Sequence, residues 1–201
     1  MCSAKTTGAL QAARRYGRHG SRVILVRPTR SRRAHEGEDG FLRTKDGTAF
    51  RAVDVSSANQ IAEHCRGHDV VWIDEPTIFQ DEADLAGVVA DLRMDSIILI
   101  SGLGATSELE PFGTSMPKLL AVADEVTWQT ADCDICRSFG TATRSLFIGS
   151  KKAGQVHVGG AENYRPACPA CWTKIMTADG EARETLLSVL RQTPRGEAHT
   201  T

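Results

Sequence analysis

Three runs of four consecutive apolar residues constrain this chain more than any other feature: Val23-Ile24-Leu25-Val26, Val70-Val71-Trp72-Ile73 and Ile97-Ile98-Leu99-Ile100. A strand with one wet face alternates apolar and polar side chains. A strand that is apolar at every position must be covered on both faces, as the strands of a parallel sheet are. The segments between the runs carry helical spacing. Ala9, Ala12, Ala13 and Tyr16 share one face of a helix ending near Arg18; Ala58, Ile61, Ala62 and Cys65 mark a second, and Leu85, Val88, Val89 and Leu92 a third. Strands and helices alternating in this way predict the α/β class, a parallel sheet with helices on both faces. Residues 41–53 read as a hairpin with Asp46-Gly47 at its turn, after a polar loop from Ser31 to Gly40. A short helix is expected over Met116 to Val122, a strand near Glu125 to Gln129, and a last helix over Glu181 to Gln192 before a frayed tail.

With 201 residues, one ordinary core domain plus a small appendage fits the length. No stretch approaches the roughly 18 apolar residues of a membrane helix, and Met1 to Thr7 lack the apolar core of a secretion signal, so a cytoplasmic protein without membrane partners is expected. The formal charge of -1 conceals an asymmetry. Residues 1–51 carry 12 Lys or Arg against 4 acids, whereas residues 54–110 carry 12 acids against 2 bases. The basic quarter suits an anionic ligand or nucleic acid, and it equally suits solvated arginines on a helix and a loop.

Four of the six cysteines form two pairs, Cys133-x-x-Cys136 and Cys168-x-x-Cys171. Each pair can place two thiolates on one tight turn, and two such turns complete the tetrahedron of a closed structural Zn²⁺ site. Disulfides are the competing chemistry, which a reducing compartment disfavours. With four protein sulfurs the metal has no open position for water, so its expected role is to fold the appendage as a small zinc-ribbon-like domain. Cys65 reads as helix core.

Two further constellations carry chemistry. Met1-Cys2-Ser3-Ala4-Lys5-Thr6 stands just before the first helix and resembles the second half of a phosphate loop, Gly-x-x-x-x-Gly-Lys-Ser/Thr, with Ala4 in place of the second glycine. Backbone N–H groups there would cradle phosphates, Lys5 would offset their charge and Thr6 would hold Mg²⁺. The plain alternative is a basic start to a surface helix. The second run ends in Asp74-Glu75, paired carboxylates at the carboxyl end of a parallel strand, where ligands of α/β sheets bind.

In chain order, the pieces are the phosphate loop, Asp74-Glu75, Pro111-Phe112-Gly113, the first cysteine pair, and Val158-Gly159-Gly160-Ala161-Glu162-Asn163-Tyr164 leading into Cys168-Pro169-Ala170-Cys171. Taken together over residues 1 to about 173, they resemble the zinc-containing thymidine kinase family. The resemblance implies a P-loop nucleotide-binding α/β domain over residues 1–130, a zinc-binding lasso domain over 131–173, and a C-terminal helix and tail over 174–201. It also implies transfer of the γ-phosphate of ATP to the 5′-hydroxyl of thymidine or a related deoxynucleoside, with Mg²⁺, usually in a homotetramer. By position, Glu75 resembles the general base, and Ser3, Lys5, Thr6, Asp74 and Arg33 the groups around phosphates and magnesium. Met1, Leu103, Phe112, Thr143, Gly159 and Tyr164 match the nucleoside pocket. For Leu103 and Phe112, plain core packing is the competing reading.

The departures cluster around the base. Ile78 and Ser107 stand where the family has phenylalanines, and Ser145 where it has an arginine, with Arg144 adjacent. A lost aromatic face loosens the grip on a pyrimidine. Two other functions remain open at this level: a thymidine kinase-like protein that has lost catalysis, and a zinc module binding nucleic acid, against which the acidic pair argues. Because a P-loop needs a buried strand to deliver its first glycine, an additional apolar strand ending in glycine is expected to be encoded upstream of Met1.

Overall fold

The structure, a computed structural model, describes residues 5–29, 40–43, 48–79, 85–149 and 162–193. It divides into two units, one of Lys5–Thr106 with Glu110–Thr127, the other built mainly from Trp128 onward together with Ser107–Leu109.

In the first unit, α1 (Lys5–Arg18) leads through a tight turn to β1 (Val23–Pro28). β2 (Phe41–Arg43) and β3 (Ala49–Arg51) form the expected hairpin, Leu42 opposite Phe50, and the predicted Asp46-Gly47 turn lies outside the described residues. β4 (Val53–Val55), α2 (Ala58–Cys65), β5 (Val70–Asp74), α3 (Leu85–Leu92), β6 (Ile97–Ser101) and α4 (Ser115–Val122) follow. The four long-range strands pair in the order β4-β1-β5-β6, all parallel.

The pleat explains why the apolar runs are unbroken. Alternate residues of each strand face opposite layers. Val26, Val71 and Ile73 pack with Ile61, Val89 and Leu119 on the side of α2, α3 and α4, while Leu25 and Trp72 pack with Leu10 and Ala13 of α1 on the other. Every residue of β5 is buried, and each large apolar side chain of this kind contributes about 1.5–3 kcal/mol. β6 is the sheet edge among the described residues, and its Ile97 is 46% exposed. Arg27 is fully buried one residue beyond the first apolar run; its Nε donates to Asp54 Oδ1 at 2.6 Å across the β1–β4 pairing, in which the two residues are in register. Cys65 packs in the core as expected, and burial pushes its thiol up to about 12.

In the second unit, β7 (Arg144–Phe147) and β8 (Tyr164–Ala167) form an antiparallel pair, followed by α5 (Pro169–Met176) and α6 (Gly180–Gln192). Leu146, Ile148, Ala167, Ile175 and Leu187 make its core. Asp179 caps α6 by accepting from the Ala182 N–H at 2.8 Å. Arg165 clamps the other end: its guanidinium donates to the carbonyls of Leu190 and Thr193 at 3.1 and 2.8 Å and stands 3.5 Å from the Asp134 carboxylate.

One expected element is missing. Residues 125–129 form no strand, and Val126 and Trp128 are 43% and 70% exposed. Alternation supplies side chains suited to a strand, but a strand forms only where a neighbour completes its ladder, and among the described residues none does. No helix among the described residues is long and apolar enough to cross a membrane.

Candidate functional site

The carboxyl edge of the sheet gathers the first group of predicted residues. Asp74 closes β5 and is 6% exposed; a carboxylate buried this far needs hydrogen-bond donors. Ser101, directly opposite in the β5–β6 register, donates its hydroxyl proton to Asp74 Oδ1 and accepts from the Trp72 indole N–H at 2.9 Å. Glu75 leaves the strand in a left-handed conformation, φ 48° and ψ 55°. For a residue with a Cβ this costs about 1–2 kcal/mol, and it is held by the Glu75 N–H donating to the Ser101 carbonyl at 2.7 Å and by the turn beginning at Pro76. Gly102 allows the close approach of Pro76, since a Cβ there would meet Pro76 Cδ and Met116 Cε at 2.9 Å. The result is a buried acid beside a half-buried, backbone-locked one.

Helix α1 brings its basic start to the same edge. The turn joining α1 to β1 is short, and α1 packs Leu10 and Ala13 against Leu25 and Trp72, so the helix runs back along the sheet. Its 14 residues span roughly 21 Å, about the length of a six-residue strand, so its N-terminus reaches the level where the strands end. Lys5 and Thr6 occupy that first turn, which has no acid, and the positive ends of helix dipole and lysine side chain add together there. Such an end favours an anion.

The cysteines form the third group, in the second unit. The Sγ atoms of Cys133, Cys136, Cys168 and Cys171 all lie within 4.8 Å of one another. A zinc–thiolate bond of about 2.3 Å sets tetrahedral sulfurs roughly 3.8 Å apart. The Cys136–Cys168 separation is 3.8 Å, nearly twice a disulfide bond. Backbone N–H groups already aim at the sulfurs, Cys168 N–H at Cys133 Sγ (3.3 Å) and Cys171 N–H at Cys168 Sγ (3.5 Å). Hydrogen bonding with Ser138 draws the Cys136 thiol down to about 6, whereas burial pushes Cys171 up to about 12. Four soft donors at this spacing are compatible with a structural zinc.

A thymidine kinase family profile matches residues 1–172. The chain belongs to the thymidine kinase family. The thymidine kinase of Mycoplasma genitalium (strain ATCC 33530 / DSM 19775 / NCTC 10195 / G37) is 29% identical to it over 171 residues, covering 84% of this chain and 77% of that protein. The family is one of nucleoside kinases, and the parallel sheet described above has its P-loop-like α/β fold.

The remaining predicted residues are spread over both units. Leu103 and Phe112 are half-buried in the first; Phe112 N–H donates to the Gly104 carbonyl at 3.4 Å, which ties the two sides of one loop together next to Leu103. Thr143 is exposed just ahead of β7, and Tyr164 opens β8 with its ring edge-on to Phe147, centroids 5.2 Å apart. Met1, Ser3, Arg33 and Gly159 lie outside the described residues, as does most of the Ser31–Gly40 loop. Sequence reasoning missed Ser101 and Trp72 as partners of the acidic pair. The one available signal was the serine that ends the third apolar run. It also missed a cavity of about 390 Å³ in the second unit, lined by Ser107, Phe147, Met176, Arg183, Leu187 and Arg191 among others.

Proposed function

We propose that this chain transfers the γ-phosphate of ATP to the 5′-hydroxyl of a nucleoside, thymidine or a close deoxynucleoside relative. What supports the reading is the carboxyl edge of the sheet, where buried Asp74 stands beside backbone-locked Glu75, and toward which the length and course of α1 carry its basic start. Lys5, with Arg33, offsets the charge of the phosphate oxygens, and Ser3 belongs to the loop that cradles them. Thr6 and Asp74 offer the hard oxygen donors that magnesium takes and would hold the ion, which would supply positive charge against the charge developing in phosphoryl transfer. Glu75, less buried than Asp74, accepts the proton of the attacking hydroxyl. Leu103, Phe112, Thr143, Gly159, Tyr164 and Met1 are the candidates for nucleoside contact, by their match to the family's pocket positions. Ser107 and Ile78, where the family has phenylalanines, offer no aromatic face, which supports a looser hold on the base than in relatives.

The four cysteines hold one zinc that folds the second unit, and the working assembly is a homotetramer in the cytoplasm. Purified protein incubated with ATP, Mg²⁺ and a panel of nucleosides tests the reading directly. Phosphorylation of thymidine or another deoxynucleoside, sharply reduced in Glu75→Gln, is expected. No turnover with any nucleoside would leave a lapsed member of the family.

A further inference from the structure

We propose that Ser101 is the positioning residue of the acidic pair, orienting Asp74 through its side chain and Glu75 through its main chain, with Trp72 fixing the direction of its hydroxyl proton. The inference rests on the reading of Asp74 as a magnesium residue and adds what holds it in place.

The polarity of the chain of hydrogen bonds follows from donor and acceptor inventories. An indole N–H can only donate, so at the 2.9 Å contact Trp72 is the donor and Ser101 Oγ the acceptor. A serine hydroxyl carries a single proton. With its oxygen already accepting from Trp72, that proton points at Asp74 Oδ1, and an ionised carboxylate can only accept it. All three groups are buried, Trp72 at 0%, Asp74 at 6% and Ser101 at 7%, so water does not compete. In such surroundings linked hydrogen bonds strengthen one another, and a missing one is expensive.

The same residue reaches Glu75 by another route. Its carbonyl accepts the Glu75 N–H at 2.7 Å, the bond that pins the left-handed turn. Ser101 lies opposite Asp74 in the parallel register, so one strand position addresses both acids at once. Gly102 then lets Pro76 settle against β6, which closes the turn on its far side. A substitution at Ser101 that removes only the hydroxyl leaves the Glu75 contact intact and takes from Asp74 the buried donor at its Oδ1. The expected signature is therefore a metal defect with the base in place.

The test uses the full chain and two readouts: Mn²⁺ binding measured by electron paramagnetic resonance in the presence of ATP, and the Mg²⁺ concentration giving half-maximal nucleoside phosphorylation. Ser101→Ala should weaken Mn²⁺ binding and raise the Mg²⁺ requirement by about tenfold or more, as expected for losing a hydrogen bond to a charged group. Velocity at saturating Mg²⁺ should fall much less. Ser101→Thr, which keeps the hydroxyl, should restore both readouts. The double variant Trp72→Phe/Ser101→Ala separates positioning from simple satisfaction of the indole. If positioning is right, it stays as defective as Ser101→Ala; wild-type metal behaviour in the double variant would overturn it. Asp74→Asn isolates the underlying reading. Unchanged Mn²⁺ binding in that variant would overturn the magnesium role of Asp74 itself, whereas weak binding in Asp74→Asn beside normal binding in Ser101→Ala overturns the positioning alone.

Discussion

The two units are held together by different physics. The first is a sheet whose central strand is buried at every residue, with apolar layers from α1 on one side and α2, α3 and α4 on the other. Among the described residues the second has one cluster of five buried residues, a smaller one around Cys133, Ala142 and Cys168, and two short strands, and it concentrates four thiols within 4.8 Å. A core that small is marginal without a covalent or metal staple. The contrast teaches that the sheet spreads its stabilisation over many apolar contacts, whereas the second unit concentrates its distinctive chemistry in one cluster of four thiols.

The largest effect should come from attacking that cluster. Structural zinc contributes apparent free energies of about 10–16 kcal/mol in small domains, so Cys133→Ser or exhaustive chelation should unfold the second unit and leave the sheet standing. Elemental analysis should find one zinc per wild-type chain; under half an equivalent would break the comparison. Circular dichroism and limited proteolysis should show loss confined to residues beyond Trp128.

Next in size is a cut inside the sheet. Arg27→Ala strands Asp54 without the guanidinium that meets it at 2.6 Å, and removing one partner of a buried pair costs about 3–5 kcal/mol. Denaturant unfolding should show this with zinc content unchanged. Loss of metal along with stability would mean that the two units fold as one.

Glu75→Gln keeps size and hydrogen bonding but cannot take a proton. Turnover should drop by on the order of 10²-fold or more while ATP binding persists. Wild-type turnover would assign the base elsewhere. The smallest effect concerns the nucleoside: Ser107→Phe restores an aromatic ring at a position where the family carries one, and should tighten thymidine by roughly 1 kcal/mol, read as a lower KM. An unchanged or higher KM would point to a pocket rebuilt for another base.

Legibility in the sequence follows the same division. The apolar runs and the helical faces of α1, α2 and α3 were readable because burial on both sides of a sheet leaves no polar interruption. The cysteine quartet was readable because metal geometry dictates spacing. β4 was not, since Val53-Asp54-Val55 looks like the tail of the hairpin before it. Helix α5 was hidden because Pro169 and the paired cysteines read as turn chemistry, although proline is well placed at a first helical position and Cys168 caps the helix through its sulfur. The acidic pair was visible, but its anchor was not. Ser101 lies 27 residues from Asp74 along the chain, and only the pairing of β5 with β6 brings them level.

The clamp made by Arg165 bears on where this polypeptide can be shortened. One side chain joins strand β8, the turn carrying the first cysteine pair and the last carbonyls of α6, through Leu190, Thr193 and Asp134. A truncation ahead of Leu190 would therefore remove the two carbonyl acceptors of a buried cation and leave it only Asp134, and its damage would surface forty or more residues away, at the cysteine turn. Helix α6 behaves as the rear wall of the second unit, and any trimmed or tagged version of the protein should keep the chain intact through Thr193.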